Sequence, residues 1–379
     1  MKLKSKLNTI FYTYSSGKQT EDLWQYVHFF DELKSLGIKI IPFDIANYQP
    51  HHEEVLLKKL KAEKDNISLF MTELNDFQIS DSSIKEIKKY GIPTLLICYD
   101  NLTIPFVHKR ISACVDLTWL TSFETEGMFK NWGAATIFMP YAANPNVFQP
   151  NLSTEIGCVG FPGSLYGSRS YKIATISSSA IPVNLYTNQN IENNILQHSN
   201  YYKTNSIAEL KKRLSYNLNY FSFNEGRKLL KSNYLKAIIK RIERKIVFNE
   251  FVTIKNSVSF DEMIKLYSNF ALSLGITEVW NTYLLKKPLY KLHLRTFEIP
   301  MCGGLQITNR TSEIENYFED GKEIILYNSD NELIDKARFY LKEENTTLRL
   351  KMKLAARQRA ENEHTWSHRF TKIHDTLFK

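Results

Sequence analysis

The sequence predicts an α/β protein of two doubly wound domains, each a parallel sheet with helices on both faces. Three observations carry that prediction. The chain has 379 residues, too many for one ordinary hydrophobic core. Strand-like and helix-like segments alternate along it, the pattern of βαβ units. A break rich in proline and asparagine, "YAANPNVFQPN" at 141–151, interrupts the alternation as an interdomain linker does. Domains at 1–150 and 151–362 follow.

The first domain reads in order. Thr9 to Tyr14 is a strand. Leu23, Tyr26, Val27, Phe30 and Leu33 recur at helical spacing, and Gly37 ends that helix. "IKIIPFDI" is a second strand, with Pro42 marking an edge or irregularity. Residues 53–63 are helical, "ISLFMTE" is a strand, "SSIKEIKKYG" a short helix and "PTLLICYD" a strand. "CVDLTWLTS" and "AATIFMPY" complete the series.

The second domain repeats the alternation. "IGCVGFPG" is a strand entering a turn, 168–178 a helix and "IPVNLYTN" a strand. Residues 190–225 are polar and show no clear period. "GRKLLKSNYLKAIIKRIERK" (226–245) is an amphipathic basic helix, with an apolar stripe formed by Leu229, Leu230, Tyr234, Ile238, Ile239 and Ile242. Its polar face is either solvated or a docking face for an acidic acceptor or membrane headgroups. Ser259 to Glu262, "SFDE", has the form of a capping box before a helix. "FALSLGI" is a strand, Leu294 to Met301 a short helix, Leu305 to Thr308 a strand and "GKEIILY" the last strand; Asn328 onward is helical.

Composition narrows the class. There is no apolar run long enough to cross a bilayer and no small-residue cleavage site after the basic N-terminus, so a cytoplasmic protein is expected. Cys98, Cys114, Cys158 and Cys302 are scattered, which suits free, buried thiols. The net charge of +9 permits an anionic small molecule, membrane or nucleic acid as partner.

In open parallel sheets ligands gather beyond the C-terminal strand ends. The polar residues expected there are Asp44, Glu73, Asp100 and Ser122 in the first domain, and Ser164, Asn188 and Thr277 in the second. Two stretches add charge and glycine. "GFPGSLYGSR" places Gly163, Ser164 and Arg169 between a strand and a helix, where backbone N–H groups and a guanidinium suit a phosphate. Its spacing is not a dinucleotide fingerprint. "LRTFEIPMCGG" places Arg295 and Thr296 in the first helical turn and Glu298 on the same face, with Gly303 and Gly304 ending the helix. A helix start facing a cleft would receive a diphosphate, and Glu298 could accept from a ribose diol. The bland alternative is a surface Arg–Glu pair.

"FPGSLYGSR", "VSFDEMIKLYSNFALSLGI", "LRTFEIPMCGG" and "HTWSHR", in that order, resemble the CgeB-like (spore maturation protein) glycosyltransferases, as do "ICYDNLT" and "MPYAANPNVFQP" nearer the N-terminus. The resemblance implies a GT-B fold with the nucleotide-sugar in the C-terminal domain and the acceptor on the N-terminal one. It also implies a last helix, 363–379, that packs back on the first domain. The expected donor is UDP- or GDP-linked, and the expected acceptor a glycan or protein. One departure stands out. Related enzymes carry a second glutamate eight positions before the one Glu298 matches, and here that position is Tyr290.

Weaker signals remain. "SSGKQT" lacks the upstream glycine of a P-loop, so Ser16, Gly17 and Lys18 are expected to form a loop touching acceptor or donor phosphate. His364 and His368 sit one turn apart without a third ligand, which favours packing over zinc. No D-x-D triplet falls at a strand end, in keeping with a metal-independent transferase. Asp100 is the expected catalytic base. Competing readings are a transferase acting on modified DNA bases and a nucleotide-binding scaffold without catalysis.

Overall fold

The computed structural model describes residues 7–17, 23–151, 153–188, 217–239 and 246–378. It forms two compact units: Met1–Val147 with Glu363–Lys379, and Phe148–Asn362.

Unit 1 holds a six-stranded parallel sheet in the order β2-β1-β3-β4-β5-β6. The strands are β1 Thr9–Tyr14, β2 Lys39–Asp44, β3 Leu69–Thr72, β4 Thr94–Cys98, β5 Leu117–Leu120 and β6 Thr136–Phe138. β1, β3, β4 and β5 are buried at every position, as strands covered on both faces must be. α1 (Asp31–Ser35), α2 (His52–Glu63), α3 (Asp81–Lys89), α4 (Lys109–Ser112) and α5 (Glu126–Asn131) connect them. The helix expected from Leu23 to Leu33 is present, but Tyr26–Phe30 is wound wider than α before α1 tightens.

Unit 2 holds the second six-stranded parallel sheet, in the order β12-β11-β10-β7-β8-β9. Its strands are β7 Ile156–Pro162, β8 Val183–Tyr186, β9 Val252–Lys255, β10 Phe270–Leu274, β11 Gln306–Asn309 and β12 Ile325–Tyr327. Its helices are α6 Arg169–Ser177, α7 Asn224–Ile239, α8 Phe260–Asn269, α9 Arg295–Met301, α10 Asp330–Leu341 and α11 Thr346–Glu363. Ser259 caps α8, accepting from the Glu262 amide at 3.3 Å, as its capping-box spacing predicts. β7 contains Gly160 because the ring of Phe270 on β10 lies where a Cβ would sit. Buried cations of α11 tie the helices to the sheet. Lys353 donates to the carbonyls of Ser268 and Phe270 at 3.1 and 2.7 Å, and Arg357 donates to those of Phe148 and Met301.

The helical stretch expected after Asn328 is three helices, the last being α12, Trp366–Leu377, in unit 1. Its N-terminal amides, unpaired within the helix, find a partner in Glu32 of α1. The Glu32 carboxylate accepts from the amides of Trp366 (3.1 Å) and Ser367 (2.7 Å), and the Trp366 indole donates to His28 Nδ1 at 3.1 Å. His368 folds back onto the Thr365 N-cap, with Nδ1 2.7 Å from Oγ1, so this histidine has a structural use. Cys98, Cys158 and Cys302 are buried free thiols, whereas Cys114 is half-buried.

Candidate functional site

In a doubly wound sheet the strand order reverses at one point, and the loops leaving the two strands there splay apart to leave a crevice. In unit 2 that point lies between β7 and β10. In unit 1 it lies between β1 and β3. Each carries a distinct cluster.

At the unit 2 reversal, β7 runs into Gly163, whose φ of +154° and close neighbour both require glycine. A Cβ there would collide with the guanidinium of Arg295, so Gly163 and Arg295, far apart in sequence, are packed together. The Arg295 guanidinium lies over the Phe161 ring, 5.2 Å from its centroid. Arg169 lies over the same ring at 5.6 Å and stacks on Tyr166 at 3.7 Å. Its hydrogen bonds to the Ser164 carbonyl (2.9 Å) and the Tyr166 hydroxyl (2.7 Å) fix its direction.

Two guanidinium groups on one ring repel each other. Burial, with a contribution from Arg295, pushes Arg169 down to about 10. Burial also works against the charge of Arg295, but Tyr267 and Glu298 outweigh it and hold its pKa above the usual value. Glu298 is 5% exposed and Thr296 is buried.

The remaining sequence candidates of unit 2 are corrected in part. The amides at the start of α9 are already used. Those of Thr296, Phe297 and Glu298 donate to the carbonyls of His293 and Leu294 at 2.9–3.0 Å, so side chains rather than these amides are left to meet an anion. Gly303 (φ +70°) and Gly304 close α9 by donating to Pro300 and Ile299, the paired bonds of a Schellman end. A Cβ on Gly304 would also collide with the Tyr267 carbonyl. Chain path therefore accounts for both glycines. Ser164 is exposed and contributes its carbonyl to Arg169.

A second layer lies beside this cluster. Glu278, just past β10, accepts from Ser168 Oγ and from Asn309 Nδ2 (3.2 Å), and its carboxylate lies 3.6 Å from Lys172 Nζ. Lys172 also pairs with Asp330 at 2.5 Å; burial opposes its charge, but the two carboxylates raise its pKa. Glu278 forms an antiparallel bridge with Tyr290. The position at which a glutamate is missing from the sequence spacing thus has one directly across the backbone pairing. The signal for it in the sequence was "GITEVW", where a carboxylate follows a buried strand. Trp280, two residues on, has φ +46°, a strained value for a bulky side chain.

At the unit 1 reversal the chemistry is acidic and phenolic. Glu73 follows β3 and accepts from the Tyr12 hydroxyl (2.6 Å) and from Gln25 Nε2 (2.9 Å). Tyr99 OH lies 3.4 Å from Tyr12 OH. Burial raises Glu73 above the ordinary carboxyl value, with Asp44 adding to it against the hydrogen bonds. The same burial lifts Tyr12 and Tyr99 and pushes His108 down to about 4. Asp100 sits on an exposed turn after β4, and its carbonyl accepts from the amides of Thr103 and Ile104, both at 3.0 Å. Its charge favours protonation of His108.

The loop after β1 differs from the phosphate cradle expected of it. Asp44 already fills it. Its carboxylate accepts from the amides of Ser16 (3.2 Å), Gly17 (2.6 Å) and Ala46 (3.0 Å) and from Ser16 Oγ (3.3 Å). Lys18 lies outside the described residues. Among the described residues no group of three potential metal ligands occurs.

The architecture is shared with solved proteins. The chain aligns over 98% of its length with 99% of Anabaena HepE, solved with UDP and glucose, at a TM-score of 0.57 and 12% identity. A glycosyltransferase from Rickettsia africae aligns over the same shares at 0.58 and 12% identity. Sucrose-phosphate synthase from Thermosynechococcus elongatus does so at 0.55 and 12%. The fold is GT-B. Residues 231–375 match a family model described as "Glycosyl transferase-like". No curated protein matches the chain. In this GT-B chain the family match starts within α7, so it takes in Glu278, Arg295 and Glu298 but neither Gly163 nor Arg169.

Proposed function

We propose that this protein is a glycosyltransferase that moves a sugar from a nucleotide-sugar donor to a glycan or protein acceptor without a metal ion. The observation that carries the reading is the Arg169–Arg295 pair. Two guanidiniums packed on one ring repel each other, and a diphosphate is the anionic bridge that such forks suit. They would also take up the charge that develops on the departing nucleoside diphosphate, the task a metal performs elsewhere. Glu298, close to Arg295 along α9, is assigned to the ribose diol, and Thr296 and Gly163 to the walls of the same site. The UDP bound in HepE favours UDP over GDP as the donor nucleotide.

The CgeB-like motif order supports a cell-surface acceptor. Glu278, across the bridge from Tyr290, is the carboxylate assigned to the donor sugar. For the acceptor hydroxyl the base is assigned to unit 1. Glu73 is preferred to Asp100, because a carboxyl whose proton affinity is raised by burial is a stronger base than an exposed one.

Calorimetry with UDP, GDP and uridine tests the donor site. UDP should bind more tightly than uridine, and Arg295→Ala should erase most of that difference. Equal affinity for UDP and uridine in the native protein would refute the assignment. Hydrolysis or transfer from a panel of UDP-sugars then separates an active transferase from a scaffold that only binds nucleotide.

A further inference from the structure

The net positive charge of the chain is concentrated in one stretch of its sequence. Residues 226–245 carry eight lysines and arginines against one glutamate, seven of the net nine charges. The helix that starts this segment, α7, does not use its apolar residues as the sequence pattern suggests. Leu229 is buried, as expected, but Tyr234 is 70% and Ile238 40% exposed. Arg227, Lys231, Tyr234 and Ile238 follow one another at steps of four, three and four, so they share one outward face. Gly226, Leu229 and Ser232 lie on the opposite, buried face. Leu218 and Phe221 before the helix and Val247 after it are also more than half exposed.

We propose that this face of α7 docks unit 2 on an anionic membrane surface. Basic residues interleaved with an aromatic and an aliphatic side chain match an interfacial helix, in which cations meet headgroups and apolar side chains enter the acyl boundary. A soluble acidic polymer would satisfy the cations alone and leave the apolar residues in water, so the observations favour the lipid. No helix among the described residues is long and apolar enough to cross a membrane, so the contact is peripheral. The inference is independent of the donor site, since α7 contributes none of the residues assigned there.

The test is sedimentation of the full chain with vesicles of phosphatidylcholine alone and of phosphatidylcholine mixed equally with phosphatidylglycerol. Binding to the mixed vesicles only, weakened by salt, is the expected result. Arg227→Glu with Lys231→Glu should lower the partition by at least about tenfold. Tyr234→Ser with Ile238→Ser should lower it by roughly tenfold while leaving the melting temperature and UDP affinity unchanged. Equal binding to both vesicle types, or to neither, overturns the proposal. So does indifference to the Tyr234/Ile238 variant. Retention on duplex DNA as strong as on the mixed vesicles, and equally insensitive to that variant, would assign the face to a polyanion instead.

Discussion

Units 1 and 2 are built alike and charged oppositely where it matters. Each is a six-stranded parallel sheet with a single reversal of strand order. At the reversal in unit 2, Arg169 and Arg295 share the Phe161 ring. At the reversal in unit 1, Glu73, Tyr12 and Tyr99 form a hydrogen-bonded acidic group. The difference teaches that the scaffold fixes where a ligand sits, while a handful of side chains at the strand ends decides its chemistry. On the proposed reading, the unit 2 cluster receives an anion and the unit 1 cluster a hydroxyl that gives up its proton.

Four experiments can break or sharpen that contrast. The largest effect is expected in unit 1. Glu73→Gln keeps an acceptor for Tyr12 but removes the base, so turnover should fall by about a hundredfold or more with UDP affinity unchanged. Asp100→Asn should stay within a few-fold of the native rate. The reverse ranking in steady-state kinetics would move the base to Asp100. Next comes Arg295→Ala, expected to weaken UDP roughly a hundredfold and uridine hardly at all by calorimetry. An equal loss for both ligands would dissolve the contrast between the units. Glu298→Ala should cost about tenfold for UDP and uridine alike, because a ribose contact serves both.

The smallest effect concerns stability. Burial raises Glu73 and Glu32 above the ordinary carboxyl value of 4.5, so between that value and the raised one the folded state holds more protons than the unfolded. Their contribution is present in full below about pH 4.5 and is lost as pH rises through the native pKa values. Denaturant melts across this window should therefore show a falling trend, and Glu73→Gln should flatten it. A native trend that Glu73→Gln leaves untouched would mean that Glu73 is not held protonated by its site.

Most of the fold was legible because buried parallel strands advertise themselves. "TIFYTY" and "TLLIC" are apolar or β-branched on both faces, and Gly37 and Gly91 stop helices at φ near +79° and +75°. β9 was missed because "VTIK" is an edge strand with three exposed residues and no distinct pattern. At the site, the grouping of Gly163, Arg169 and Arg295 was anticipated as two separate motifs. Their packing against each other depends on long-range contact that local spacing does not encode. Glu278 was passed over because a bridge to Tyr290, not a sequence interval, brings the carboxylate to that position. The loop after β1 misled for the opposite reason. Its small residues do form a ring of amide donors, but the partner is a side chain from β2 that only the folded sheet reveals.

That loop has a wider meaning. By seating the Asp44 carboxylate on the amides of Ser16 and Gly17, the N-terminal unit fills the donor ring after β1 with its own side chain. On the proposed reading, an anion is then received by unit 2 alone. Replacing Asp44 with a neutral side chain would ask whether the freed amides take an external anion in its place.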